Sequence, residues 1–338
     1  MGSFPATLSR NLKYWFPFSR QMTVLIDTRI TSAHQISDLC RPLGYDVTST
    51  QLDVGQLNGY FRVVLCGKQL FLLLSADKPV VIYGSRLAEY SSFGMFLSDF
   101  KVAHHTHAHG HRAVANWSSS FSPLHDETFL QLAPNVPMLV TYVAHSDLKN
   151  SALNWHEHDA LHKITTKEFA VFQPDAYDRI VRAAMYRLLY PSPDVGDHLA
   201  DQFTLQMYDL FNQLSTDQEL VQSFKRIDLI KDFFKYAIDN CCTPVKIKDV
   251  ADTLYTSNTT LIKGCYEIFG VKPMDVLKNI RLEQAHRALT QRNVQCELGL
   301  YQVADIARHY GFESRPHFAK NYSEMYGMTP VKALQFAG

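Results

Sequence analysis

A pattern of residues between Asp249 and Pro330 occurs twice, and this repeat constrains the fold more than any other feature of the chain. Each copy begins with Asp, an aliphatic residue and Ala, at Asp249 and again at Asp305. Six further positions recur 57 residues later: Ser257, Leu261, Lys263, Glu267, Gly270 and Pro273 correspond to Ser314, Phe318, Lys320, Glu324, Gly327 and Pro330. Since so many matches at one offset are improbable by chance, the pattern predicts two copies of one supersecondary unit.

The first copy has the spacing of two short helices. Apolar residues from Val245 to Leu254 are placed to form one face of a helix. Ser257 is suited to cap a second helix, because its hydroxyl can accept a hydrogen bond from an unpaired backbone N–H group. Gly270 is predicted to end that helix and Pro273 to begin the next one. Two short helices, the second with a polar and basic outer face, are typical of a helix-turn-helix that reads DNA.

The second copy follows the same logic. Val303 and Ile306 predict its first helix, and Ser314 is placed to cap its second. Pro316 falls in the first turn of that helix, where the missing N–H group costs nothing. Phe318 is predicted to pack inward, so the residues around it on the opposite face are predicted to point outward.

The outward-facing side chains of the two second helices are the candidate DNA contacts. Lysine and arginine suit guanine O6 and N7 or phosphate oxygens, Asn258 suits adenine, and Thr259 or Ile262 suits a thymine methyl group. The alternative is that these residues form solvated polar faces only. The predicted contacts are Asn258, Thr259, Ile262, Lys263, Arg315, Pro316, His317 and Lys320.

These residues resemble a known family. The blocks Ile280–Ala285, Val303–Ala307, Gly311–Ser314 and Gly327–Pro330, together with Phe318, are similar to the DNA-binding domain of AraC/XylS-type bacterial transcription regulators. The similarity covers about the last third of the chain. It implies a promoter-binding regulator in the cytoplasm, an activator that responds to a small-molecule effector, acts as a homodimer and works with RNA polymerase.

Charge is divided between the two ends of the chain. The formal net charge is zero, which taken alone argues against a nucleic-acid partner. From Ser223 onward, however, the chain has 16 Lys and Arg residues and 12 Asp and Glu residues. The remainder has 17 Lys and Arg residues and 21 Asp and Glu residues. A basic carboxyl-terminal part is what phosphate contact requires. Because the excess is small, tight binding is expected to need more than one copy of the domain.

The amino-terminal part has the texture of an antiparallel β structure. Short β-prone runs between Val47 and Tyr83, continued at Phe93–Phe100 and Met138–Ala144, are separated by Gly, Pro or Asp-Lys turns. This spacing predicts a meander that rolls into a barrel or sandwich. The segment Asp175–Leu214 is predicted to be helical, and its second apolar face, from Leu199 to Leu214, either packs on the β structure or forms a dimer surface.

The predicted fold class is therefore α+β, with an amino-terminal antiparallel β barrel or sandwich carrying helices. An all-α domain of two helix-turn-helix units joined by a long helix follows it. The predicted division is a sensor and dimerisation domain at 1–215, a linker at 216–223 and a DNA-binding domain at 224–338. No run of residues has the apolar length needed to cross a bilayer, so no membrane partner is expected.

Two groups of residues suggest other chemistry. His105, His107, His109 and His111 would lie on one side of a single strand and suit a transition metal, although a segment that titrates near neutral pH is the favoured interpretation. The adjacent Cys241 and Cys242 could act as a redox sensor; the favoured interpretation is reduced, buried small side chains.

The sequence thus predicts a DNA-binding regulator without a cofactor and without catalytic activity. No phosphate-binding loop, nucleophile triad or paired catalytic carboxylates occurs at a recognisable spacing. Two alternatives stay open. One is a ligand-independent regulator or repressor whose first domain only oligomerises, and the other is a β-domain enzyme fused to a DNA-binding tail.

Overall fold

The computed structural model describes residues 23–67, 69–86, 89–96, 106–112, 118–121, 127–167, 169–172, 196–213 and 224–336. Its amino-terminal half is built from short strands, as the β-prone runs between turn residues predict. The strands are β1 Thr23–Ile30, β2 Val47–Gln51, β3 Gly59–Cys66, β4 Gln69–Ala76, β5 Val80–Ser85, β6 Tyr90–Phe96, β7 His107–Ala108, β8 His111–Arg112, β9 Ser118–Phe121, β10 Glu127–Leu132, β11 Met138–Ala144 and β12 Phe169–Phe172.

The strands form two antiparallel sheets. One sheet has seven strands in the order β1-β3-β4-β11-β6-β9-β12, and the other has five in the order β2-β5-β10-β7-β8. Both sheets are open in the described part of the chain, so the sandwich, not the closed barrel, is the form observed. The predicted meander is wrong for the strand order, because β2 and β5 pair with each other while β3 and β4 between them join the other sheet.

Alternation along the strands assigns each residue to one layer of the core. In β4, Leu70, Leu72 and Leu74 face the five-stranded sheet, whereas Phe71 faces away from it. In β5, Val80 and Ile82 contribute to the core between the sheets. Burial of these side chains on both faces of the seven-stranded sheet requires a covering layer on its outer side.

Helices supply that layer. The described helices of this half are α1 His34–Cys40, α2 His145–Trp155, α3 His158–Thr166 and α4 Gly196–Gln213; the last three form the layer, while α1 packs into the core between the sheets. Phe203, Met207 and Leu210 of α4 are buried in one cluster with Phe71 and Phe93 of the seven-stranded sheet. This face of α4 therefore packs on its own domain, the first of the two alternatives considered for it, and is not exposed for a dimer contact. The first predicted apolar face, Tyr177–Leu189, and the predicted linker 216–223 lie outside the described residues.

The carboxyl-terminal part is helical throughout its described length. Its helices are α5 Ile227–Asp239, α6 Ile247–Thr253, α7 Asn258–Phe269, α8 Pro273–Thr290, α9 Arg292–Leu298, α10 Val303–His309, α11 Arg315–Tyr326 and α12 Pro330–Gln335. We call α7 the first reading helix, α11 the second reading helix and α8 the linking helix. No helix in the described ranges has the length and apolar character of a membrane span.

The two halves of the chain share a hydrophobic cluster. Val81 of β5 and Phe129 of β10 point away from the inter-sheet core and are fully buried. Phe234 of α5 lies against Phe129, with ring centroids 6.1 Å apart, and Lys231 of the same helix forms a 2.8 Å ion pair with Glu127. The outer face of the five-stranded sheet is thus covered by the helical domain.

Candidate nucleic-acid interface

The first helix-turn-helix consists of α6, a short turn and the first reading helix. The hydroxyl of Ser257 accepts a hydrogen bond from the backbone N–H of Thr260 at 3.1 Å, which caps the reading helix as predicted. Gly270 ends it with a left-handed φ of 78°, a conformation that glycine adopts without steric penalty. Both predicted boundary residues therefore have the predicted role.

The second unit has the same boundaries. Ser314 accepts a hydrogen bond from the N–H of His317 at 3.4 Å, and Gly327 ends the second reading helix with a φ of 66°. Its turn is one residue longer, since α6 and α10 are offset by 56 residues and the reading helices by 57. The left-handed turn position is Gly311 in the second unit, but in the first it is Tyr255, whose φ is 50° and whose side chain is 99% exposed.

The inward faces of the reading helices are packed as predicted. Leu261 and Cys265 of the first are fully buried in a cluster with Ile230 of α5. Phe318 and Tyr322 of the second are buried with residues of the linking helix and α10. Each reading helix therefore has only one face left for a partner.

The eight predicted contacts lie on those remaining faces. All are exposed except Ile262, which is partly buried. Lys320 has a side chain 72% exposed, and its nearest carboxylate is Glu324 on the same helix at 3.9 Å. An exposed pair of this kind contributes little to stability, so the ammonium group can exchange Glu324 for a phosphate at small cost.

The linking helix adds cationic groups that the sequence reasoning missed. Lys278 and Arg281 line a groove together with Gly311, Ser314 and His317, at the amino-terminal end of the second reading helix. Spacing of three on a helix places Lys278 and Arg281 on one side, and this was the available signal. Arg281 also donates hydrogen bonds to the carbonyl oxygens of Cys241 and Thr243, so it fixes the end of α5.

A second missed feature is a polar stripe on the linking helix. Asn279, Glu283 and Arg287 are spaced by four residues and all contact the amino-terminal domain, as does Gln291 just beyond the helix. Asn279 donates to the carbonyl of Leu52 at 3.0 Å. The spacing of these polar residues was visible in the sequence, but the residues that they contact in the amino-terminal domain were not. The amino-terminal domain therefore docks on this side of the linking helix and leaves the reading faces exposed.

The centre of the stripe is a buried polar network. One oxygen of Glu283 accepts from the backbone N–H of His34 at 2.6 Å and lies 3.0 Å from Nδ1 of that histidine. The other oxygen accepts from the hydroxyl of Tyr326 at 3.1 Å. His286 stacks on Tyr326 with ring centroids 4.0 Å apart and forms a short hydrogen bond with the Tyr322 hydroxyl. The first residue of α1 is thereby joined to the end of the second reading helix.

The histidine-rich segment does not form the single strand that was considered for it. His107 and His111 belong to β7 and β8, which pair across a turn at His109 and Gly110. Because His107 pairs with Arg112 and His111 pairs with Ala108, the two histidines point to opposite faces. His105 lies outside the described residues, and the described part of the chain contains no cluster of three or more His, Cys, Asp or Glu side chains suited to a metal.

Residues 250–335 match a protein-family model described as a helix-turn-helix domain. The match includes both reading helices and the linking helix, and it ends within α12.

Several solved structures are similar to parts of this chain. A probable AraC family transcriptional regulator from Rhodopseudomonas palustris is 25% identical over 33% of this chain and 99% of its own, with a TM-score of 0.30. An AraC-type regulator from Chromobacterium violaceum is 21% identical over 32% of this chain and 90% of its own, with a TM-score of 0.29. ToxT from Vibrio cholerae is 11% identical over 79% of this chain and 96% of its own, with a TM-score of 0.29. These TM-scores lie below 0.5, so the assignment of a helix-turn-helix domain depends on the family model and on the helix geometry.

Proposed function

We propose that the chain is a DNA-binding transcription regulator, with a helix-turn-helix domain of the AraC type at its carboxyl end, and that it activates promoters in response to a small molecule. The observation that carries this proposal is that both reading helices are capped, packed on one face and exposed on the other. Because one linking helix joins them, the two reading helices can enter successive major-groove segments about 34 Å apart.

The eight exposed residues divide by chemistry. We assign Lys263, Arg315 and Lys320 to guanine edges or phosphates and Asn258 to adenine. Thr259 and Ile262 offer apolar contact to thymine methyl groups, while Pro316 and His317 lie at the start of the second reading helix, where the positive end of the helix dipole attracts a phosphate.

Selection of duplexes from a random pool by the full-length protein tests this function. We expect recovery of a consensus with two half-sites about one helical turn apart. Replacement of Arg315 or Lys320 by Ala should weaken binding to the selected duplex, whereas replacement of the exposed Lys149, in α2 of the other domain, should not. Equal affinity of all three variants and the parent would contradict the assignment.

The amino-terminal domain offers a candidate effector site between its sheets. A cavity of about 40 Å³ is lined by Arg86, Ser92, Thr128 and Tyr142, with apolar groups around them. Arg86 is buried, donates to the Ser92 hydroxyl at 2.8 Å, and has its pKa lowered by burial. A buried guanidinium favours an anionic ligand, and the volume holds about three water-sized groups. We therefore propose a small carboxylic acid as the effector class.

Thermal unfolding of the full chain with small carboxylic acids tests the effector class. An acid that binds the folded state must raise the melting temperature, whereas its uncharged amide should not. The Arg86→Ala variant should lose the response to the acid. A response to the amide alone, or an unchanged response in Arg86→Ala, would contradict the proposed class.

We propose that the effector acts through β10 of the five-stranded sheet, which lies between the cavity and the helical domain. Thr128 and Leu130 of β10 line the cavity, and Phe129 between them is buried against Phe234 of α5, so a change in the cavity reaches α5 through this strand. We further propose that two copies bind together, because the carboxyl-terminal charge excess is small, and that the bound protein contacts RNA polymerase in the cytoplasm. We assign it no catalytic role. A repressor with an oligomerising first domain would select the same duplex but would not respond to any ligand.

A further inference from the structure

Two adjacent cysteines occupy a turn in the DNA-binding domain. Cys241 and Cys242 are the central residues of a turn closed by a 3.0 Å hydrogen bond from the N–H of Thr243 to the carbonyl of Asn240. Their sulfur atoms are 3.8 Å apart. Cys242 is exposed and Cys241 is partly buried against both hydrophobic clusters of the helical domain. One thiol is therefore accessible and the other lies beside it, protected.

A base lies next to the exposed thiol. The Nε2 atom of His309, the last residue of α10, is 3.4 Å from the sulfur of Cys242 and can accept its proton. Burial, with a smaller contribution from the neighbouring Cys242, raises the pKa of the Cys241 thiol to about 12. Cys242 is consequently the nucleophile of the pair, and Cys241 stays protonated beside it.

We propose that Cys241 and Cys242 are a hydroperoxide-sensitive thiol pair whose oxidation to a disulfide weakens DNA binding. The Cys242 thiolate attacks one oxygen of the hydroperoxide, which breaks the O–O bond, gives a sulfenic acid and releases water or an alcohol after proton transfer from imidazolium. The Cys241 thiol then attacks the sulfenic sulfur and expels water, forming the S–S bond. Both thiols are oxidised by two electrons together, and the hydroperoxide is reduced.

The disulfide alters a contact that leads to the second reading helix. The sulfurs must approach to about 2.05 Å, and in adjacent residues this reorients the peptide between them. The carbonyl of that peptide, Cys241 O, accepts from Nε of Arg281 at 3.0 Å. The Arg281 guanidinium lies over Gly311, within 3.1 Å of where a Cβ would be, in the turn that precedes the second reading helix. Ring closure also displaces Cys242 from His309.

Peptide mapping after treatment of the full chain with hydrogen peroxide tests the chemistry. Trypsin releases residues 236–246, which hold both thiols but no other cysteine, and this peptide should lose the mass of two hydrogen atoms and regain it with dithiothreitol. Cys241→Ser should stop at a sulfenic acid on Cys242 that dimedone captures. His309→Gln should slow the reaction near neutral pH and less so at high pH, a pH profile that a structural role alone does not produce. A reduced 236–246 peptide alongside oxidised, exposed Cys296 would overturn the proposal.

Binding to a duplex selected by the reduced protein tests the consequence, which rests on the proposed function. Peroxide should lower the duplex affinity of the parent and of Cys296→Ser by about tenfold or more, because one reading helix loses its base contacts. Reduction should restore the affinity of both proteins. The exposed Cys242→Ser variant, expected to fold normally, should keep its affinity in peroxide. Equal inhibition of this variant, or full affinity of the disulfide form, would overturn the inference. If the reduced protein selects no duplex, the proposed function fails while the peptide chemistry is still measured independently.

Discussion

The carboxylate of Glu283 accepts a hydrogen bond at 2.6 Å from the backbone N–H of His34, a residue 249 positions earlier in the chain. Glu283 is 1% exposed and also accepts from Tyr326. A buried carboxylate is stable only when its oxygens are satisfied, and here the donors come from both domains. The stability of the domain interface and of the second helix-turn-helix are therefore linked through this side chain.

Glu283→Ala is expected to lower the stability of the whole chain. The change leaves buried donors of His34 and Tyr326 without an acceptor, which costs about 2 kcal/mol. The shift in the denaturant midpoint of unfolding measures this loss of stability. Glu297→Ala is the control, because Glu297 is exposed on α9. Equal midpoints for the two variants would show that the buried contacts contribute nothing.

Ser257→Ala is expected to destabilise the DNA-binding domain by about 1 kcal/mol, since the N–H of Thr260 loses its cap. Ser257→Asp keeps an acceptor at the cap and should retain most of the stability. Thermal unfolding of the two variants beside the parent gives the comparison. A larger loss for Asp than for Ala would contradict the capping role.

His286 should make the protein sensitive to mild acid. Burial, with a smaller contribution from the charge of His34, lowers the pKa of His286 well below its usual value. The folded state therefore keeps it neutral, while the unfolded chain takes up a proton below about pH 6.5, so stability falls as the pH decreases through that value.

The variant His286→Phe keeps a ring against Tyr326 but cannot be protonated. Although it also loses the bond to Tyr322, its melting temperature should fall less than that of the parent between about pH 7.5 and about pH 5.5. His158→Gln, an exposed change on α3, serves as the control. An undiminished fall in His286→Phe would exclude His286 as the origin.

Lys263→Ala should reduce the salt dependence of DNA binding. If Lys263 contacts a phosphate, its removal lowers the slope of log K against log salt by about one. Titrations of the selected duplex at several salt concentrations measure the slope, with Lys149→Ala as the matched control. An unchanged slope with unchanged affinity would remove Lys263 from the interface.

The helix boundaries of the DNA-binding domain could be predicted because their causes are local. Ser257 and Gly270 act on backbone groups within a few residues, and the apolar spacing of Leu261 and Cys265 lies within one helix. Exposure of the outward faces follows from the same periodicity. Half of the described strands, β2 to β6 and β11, were predictable for a similar reason, since each is a β-prone run bounded by turn residues close to it in the sequence.

The repeat and its caps, then, were enough to specify two reading helices, because a helix of this length is determined by residues that are neighbours in the chain. Only the tertiary structure decided which strands pair, that His107 and His111 face opposite ways, and that Glu283 meets His34. It also brought Cys242 against His309, 67 positions away. Such contacts depend on how two independently patterned surfaces pack, and residue spacing within either surface holds no information about its partner.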